Sequence, residues 1–399
     1  MRSRGFSSFD FIMMITIFGI ITTVLFITTS GSSEVVQKKK RLTPQQKRDV
    51  RGAEIAGLAY NNHPSSEDTC KLEGLDEILV VRVPGTPANR AVRDYLVKRV
   101  KRLGWTVELD TFTQNTIIGE TEFSNVIGYS NPSAKKHVVI TAHYDSKIME
   151  PVNGKYFLGA VDSAVPCAMI LSMMDNLNKL LMKRQQTDPD RGIIVVFFDG
   201  EEAFKDWTKT DSIYGSTHLA EKWKNEGFFE KMELFVLLDL IGAKNPSFLS
   251  SFTSTQHHFQ RMFQLEKELQ GLGLFADKVE GKMYFKEKGN SWGIEDDHKP
   301  FQNRGFVDIV HLISTPFPPQ WHKLTDDGEH LDCPTIHNLM NIFQLWIAEL
   351  FNLHKLINIV ENNGNVSNAS YSSRDRRHCF TYSLTHLLPF GFTWQREVK

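Results

Sequence analysis

The sequence predicts an α/β fold: a central mixed, mostly parallel sheet with helices on both faces. Three observations carry that expectation. Apolar runs recur within Lys136–Asp145, Arg191–Ala203 and Leu234–Leu240, and each ends abruptly on carboxylate or imidazole side chains. The run Ile193–Phe198 is unbroken, which suits a strand buried on both faces rather than one half-wetted at an edge. Stretches of helical periodicity alternate with these runs, the pattern of a sheet covered on both sides. In such open sheets ligands bind beyond the carboxyl ends of the strands, where this chain gathers its charge.

From the start of the chain, residues 1–10 form a tail. Phe11–Thr29 is uncharged and close to the ~20 residues that span a bilayer, with Arg2 and Arg4 before it and Lys38, Lys39, Lys40 and Arg41 after it. Residues 11–30 are therefore read as an uncleaved signal-anchor or a cleaved signal peptide, for which Ser30-Gly31-Ser32 supplies small residues. Either places the protein in the secretory pathway. Residues 31–47 are polar and basic and read as a stem, with a helix expected to start near Thr43-Pro44.

Residues 48–355 hold the expected catalytic domain. Val92, Tyr95, Leu96, Val100 and Leu103 fall at helical spacing in Arg90–Leu103, predicting an amphipathic helix that Gly104 ends. Trp105–Phe112 alternates as a strand. Lys136–Asp145 is a strand running into His143 and Asp145. Gly159–Leu171 carries Asp162 before a small-residue helix start, with Ser163 as a candidate cap. Asp199, Glu201 and Glu202 follow the next strand, and Asp239 closes Leu234–Leu240. Helices are expected over Gln256–Leu272 and Ile336–Leu353, with the Pro-rich loop Pro316–Pro319 and then Trp321-His322 between them. Residues 356–399 form a polar tail with two glycosylation acceptor sequences, at Asn365 and Asn368.

One His or Asp at a strand end is more often a hydrogen-bonded structural group than a ligand. Five pieces together, His143, Asp162, Glu201-Glu202, Asp239 and His322, form a constellation. Three carboxylates at one strand end would cost several kcal/mol to bury without a cation or donors. Imidazole plus carboxylate without paired thiolates is the donor set of catalytic zinc. The four cysteines, Cys70, Cys167, Cys333 and Cys379, are irregularly spaced and define neither a zinc knuckle nor a pairing.

Several strings, among them Ala142–Lys147, Gly159–Cys167, Phe197–Ala203, Leu237–Ala243, Asp296–Phe301 and Pro316–His322, resemble the glutaminyl-peptide cyclotransferases (glutaminyl cyclases), whose fold is similar to that of zinc aminopeptidases. The resemblance spans roughly Arg48–Leu353. It implies an acyltransferase that converts N-terminal Gln, and in some cases Glu, to pyroglutamate with release of ammonia. It further implies one Zn2+ on Asp162, Glu202 and His322, Glu201 as general base and acid, and Asp239 and Asp296 hydrogen-bonding around the reacting centre. Trp207, Phe317 and Trp321 would wall the pocket. His311, close to a strand end, is read either as a hydrogen-bond partner behind the site or as a satisfied core histidine. The family includes secreted and Golgi-anchored members, so residues 11–30 leave both open. Related cyclases often carry a cysteine before the residue matching His143, bonded to the one matching Cys167. Here that position is Ala142, so the bridge should be absent and Cys167 a buried thiol.

The main alternative is an M28-type zinc aminopeptidase with two metals, because its second-metal ligands, His143, Asp162 and Asp239, are all present. The aromatic and acidic residues around the site, Trp207, Asp296–His298, Phe317 and Trp321, favour the cyclase. An inactive binding homologue would lack a ligand or Glu201, and this chain lacks neither. The chain's 399 residues, 41% hydrophobic, can build one large core, and its net charge of -1 argues against a nucleic-acid partner. The expected partners are peptides and proteins with N-terminal Gln, and a monomer is expected.

Overall fold

Continuous β-branched and aromatic runs cannot leave either face in water, so they occupy the middle of a sheet with helices packed above and below. The computed structural model describes Cys70 and residues 72–276, 283–290 and 293–356. The expected membrane segment, the stem with its helix start near Thr43, and the glycosylation sequences of the tail lie outside the described residues. No helix among the described residues is long and apolar enough to cross a membrane.

After a single turn at Leu75–Ile78, helix α1 spans Pro87–Arg102, capped by the Thr86 hydroxyl on the Asn89 amide. It starts three residues before the periodic stretch, because Pro87 at the first turn is already set for a helix. Strands β1 (Thr106–Thr116) and β2 (Gly119–Tyr129) form an antiparallel hairpin. The core strands follow: β3 (Lys136–His143), then helix α2 (Val165–Gln185), β4 (Arg191–Phe198), helix α3 (Tyr214–Asn225) and β5 (Met232–Asp239). The short strand β6 (Phe248–Ser250), helix α4 (Gln256–Gly271), strand β7 (Phe285–Asn290), helix α5 (Lys299–Asn303), strand β8 (Ile309–Ile313) and helix α6 (Cys333–Leu350) complete it.

The main sheet has six strands in the order β1-β2-β4-β3-β5-β8. The β4/β3, β3/β5 and β5/β8 pairs are parallel, and the hairpin joins β4 antiparallel through β2. Alternate residues of each strand serve opposite cores. Val138, Ile140 and Val236 pack with α2 and α6, whereas Val139, Ile194, Phe235 and Leu237 pack with α3 and α5. Because β3, β4 and β5 run in register, His143, Phe198 and Asp239 finish at the same edge.

Cys70 and Cys333 form a disulfide across 263 residues, tying the start of the described chain to the first turn of α6. Cys167 is free and buried, as expected from Ala142, and its thiol donates to the His143 carbonyl at 3.1 Å.

Glu266 gives this fold a pH dependence far from the site. It lies buried in α4 and accepts the Tyr284 and Phe285 amides at 2.6 and 3.0 Å. Burial pushes its carboxyl up to about 7 in spite of those bonds. The folded value exceeds the unfolded one, so its contribution is complete below roughly pH 4 and is lost as pH rises through 7. The difference in unfolding free energy between wild type and Glu266→Gln should therefore shrink by about 1–3 kcal/mol from pH 5 to pH 8 in denaturant titrations. A difference that holds constant over that range would rule out a protonated Glu266.

A candidate metal centre at the strand ends

Each side chain of the site is delivered by the end of a core strand or by a turn next to one. Beyond β3, Asp145 does not face the cavity. Its two carboxylate oxygens accept the Glu201 and Glu202 amides at 3.1 and 3.2 Å and so hold the loop after β4 in place. Asp199 likewise turns away, accepting the Ser124 amide and the Asn89 side chain, each at 2.9 Å. Of the three carboxylates at the end of β4, Glu201 and Glu202 remain to face the cavity.

Asp162 sits in an irregular turn, Ala160–Ala164, where both it and Ser163 leave helical dihedrals. Gly159 enters this turn with φ +56°, and a side-chain carbon there would lie 2.3 Å from the Asp162 carbonyl, so only glycine fits. The sequence reading of Ser163 as a helix cap is corrected: its hydroxyl donates to Asp239, where it satisfies a buried carboxylate instead of the helix end.

Three donors converge from this turn, from the β4 loop and from the loop after β8. His322 Nε2 lies 3.6 Å from Asp162 Oδ2 and 3.5 Å from Glu202 Oε2, and one donor atom from each residue falls within 4.8 Å of the others. Glu202 Oε1 is buried with no hydrogen-bond partner, a cost expected to be met by a cation. Burial and the neighbouring Glu202 charge push Asp162 up to about 8, as expected of acids crowded together without a counter-ion. The donor set fits zinc.

A second trio, His143, Asp162 and Asp239, lies beside the first. His143 is fully enclosed, with Nε2 3.0 Å from Asp162 Oδ1 and 3.6 Å from Asp239 Oδ1, and Nδ1 3.4 Å from Asp145. Burial opposes its charge, but Glu201 and the surrounding aspartates outweigh that and raise the imidazole well above its ordinary value. The imidazole thus lies among the acids that would join it in holding a second metal.

Glu201 is raised well above the carboxylate range, first by burial and then by the Glu202, Asp296 and Asp297 charges, against His143. Burial works to raise Asp239 too, but hydrogen bonding and charge from His143, with the Ser163 hydroxyl, leave it below its usual value. Asp296 goes the other way, lifted by burial and by Asp239, although His311 Nε2 meets its Oδ2 at 2.7 Å. Two carboxyls with opposite shifts are suited to different proton states.

The profile of peptidase family M28 matches residues 125–347. The glutaminyl-peptide cyclotransferase of Boiga irregularis is 44% identical over 295 residues, covering 70% of this chain and 80% of that one. The Bos taurus glutaminyl-peptide cyclotransferase is 42% identical over 293 residues, covering 70% and 81%. This chain belongs to the glutaminyl-peptide cyclotransferases. The crystal structure of Macrostomum lignano glutaminyl cyclase superposes with a TM-score of 0.65 at 34% identity, covering 81% of this chain and 97% of that one.

In this member of the cyclotransferase family the site opens through a cavity of about 620 Å³, whose lining includes Glu201, Asp239, Asp296, Trp207, Phe317 and Trp321. Phe317 is half-buried and packs against the cluster of Val161, Leu240, Ala243 and Ile313, whereas the two tryptophans lie outside the core. Trp207 and Trp321 are 38% and 39% exposed and stand at the mouth. Phe317 meets Trp321 edge to face at 4.8 Å, and the Trp321 ring stacks on His322 at 4.2 Å, so the aromatic pair also holds that imidazole in place.

Sequence reasoning missed two functional groups. Lys147 stood in a matching motif without a role, and its ammonium reaches Glu202 Oε2 at 3.4 Å. Arg82 was passed over altogether. It is completely buried, and its guanidinium donates to the carbonyls of Tyr144 (2.6 Å), Val80 (3.2 Å), Leu158, Gly159 (2.9 Å) and Asp162 (3.4 Å). A lone cation inside the apolar stretch Leu79–Val83 was the available signal.

Proposed function

We propose that this chain closes the N-terminal glutamine of peptides into pyroglutamate and releases ammonia, with one zinc held by Asp162, Glu202 and His322. The observation that carries this reading is Glu201 lying beside that trio on the floor of a peptide-sized cavity. The substrate amine and its own side-chain amide carbonyl are already in one residue, so no external nucleophile is needed. Bound at these donors, zinc would supply Lewis-acid polarisation of the γ-carbonyl.

The remaining work falls to the protein. Glu201 accepts a proton from the α-amine as its nitrogen bonds to the carbonyl carbon of the side-chain amide, then returns it to the amide nitrogen as that carbon–nitrogen bond breaks and ammonia leaves. Its elevated proton affinity suits transfer in both directions. Asp296, raised by burial and by Asp239 and buttressed by His311, is the readier of the two to take up a proton, and Asp239, lowered by His143 and Ser163, the readier to stay ionised. Trp207, Phe317 and Trp321 hold the residue folded against the floor, and such positioning is worth several kcal/mol of barrier.

The secretory location, the anchor or signal in residues 11–30, the monomeric state and activity on N-terminal Glu belong to the same reading. Domain limits at 48 and 355 do as well.

A two-metal aminopeptidase is the alternative that the His143, Asp162 and Asp239 trio keeps open. Mass spectrometry of one peptide starting with Gln and one starting with Leu, with metal analysis alongside, separates the two. Loss of one ammonia from the Gln peptide, an untouched Leu peptide and about one zinc per chain are expected. Released N-terminal residues with about two metals would replace the cyclase reading with the peptidase.

A further inference from the structure

We propose that Glu295 makes this site favour peptides whose second residue is basic. The inference rests on the cyclase reading and adds a substrate class to it. Asp296 is buried at the cavity floor, while its neighbour Glu295 is exposed at the rim of the same wall. One residue of chain, about 3.8 Å between Cα atoms, therefore separates floor from rim. A peptide with its first residue on the floor climbs by the same step, which brings its second side chain level with Glu295.

The charges around the mouth are otherwise matched among the described residues. Lys205 and Asp206 lie 3.9 Å apart, and Lys147 faces Glu202. Among the described residues Glu295 instead receives only the neutral indole N–H of Trp207, at 3.3 Å. That bond fixes the carboxylate at the edge of a half-exposed indole, where an ammonium or guanidinium can meet the acid and the adjoining ring face together.

The test is kcat/KM for three peptides with free N-termini and amidated C-termini that begin Gln-Lys, Gln-Ala and Gln-Glu, using the zinc-loaded full chain. A preference of about 3- to 10-fold for Gln-Lys over Gln-Glu is expected at low salt, the size of an exposed ion pair with a ring contribution. It should fade as ionic strength rises from ~0.01 to ~0.5 M and the screening length shortens. Glu295→Gln should bring the ratio to about one, and Glu295→Lys should invert it. Equal kcat/KM in the wild type, or a preference that survives Glu295→Gln, would overturn this inference while leaving the cyclase reading intact. No turnover of any of the three peptides would overturn both.

Discussion

Glu201→Gln is expected to bind zinc as the wild type does and to lose at least about 10³-fold in kcat, the scale of a missing general acid–base. Gln keeps the shape of the side chain and its hydrogen-bonding reach but cannot carry a proton from one nitrogen to the other. Asp162, Glu202 and His322 are untouched, so metal content by elemental analysis should stay at its wild-type value. A variant that retains zinc and a tenth or more of the activity would remove Glu201 from the proposed role. One that loses zinc would show that Glu201 shapes the metal centre itself.

Arg82→Met should produce the largest loss of stability for a single substitution in the described chain. The five carbonyl bonds of Arg82 join the carboxyl end of β3 to the turn that carries Asp162, and those to Tyr144, Gly159 and Asp162 are buried. Removing the guanidinium takes a donor from each of those oxygens, although Gly159 keeps the Ala164 amide, and removes its charge from beside Asp145, Asp162 and Asp326. Losses of this kind run to about 3–5 kcal/mol, which lowers the melting temperature of a domain this large by about 10 °C. Because the Gly159 and Asp162 carbonyls are among the five, zinc should also bind more weakly in competition with a chelator. A melting temperature within ~2 °C of wild type would show that the surrounding loops make their own arrangements.

The central strands were legible because burial on both faces leaves an unbroken apolar signature, as in Ile193–Phe198. Their charged ends were equally plain, since carboxylates directly after such a run have few explanations. The hairpin was only half visible. β1 continues past Phe112 to Thr116 and is followed by β2, but its distal part is polar and exposed on both sides, so no alternation marks it. Ser163 misled because a hydroxyl before a helix is ordinarily a cap, and the competing buried acceptor, Asp239, is 76 residues away. The roles of Asp145 and Arg82 were hidden for the same reason. Both act on backbone groups, which every residue possesses and no motif can flag.

The bond between Cys70 and Cys333 has a consequence for a chain that has been cut. Almost every loop of the catalytic region lies within the covalent ring it closes. A protease that nicks an exposed connection, such as the turn between β1 and β2, would produce two pieces that stay on one molecule. Each strand of the severed chain would remain at high local concentration and able to re-anneal. Among the described residues the ring has no reactive thiol to scramble it, because the free thiol of Cys167 is enclosed and burial pushes it up to about 12. A cut that would inactivate an open chain becomes, in this topology, an injury the enzyme can survive.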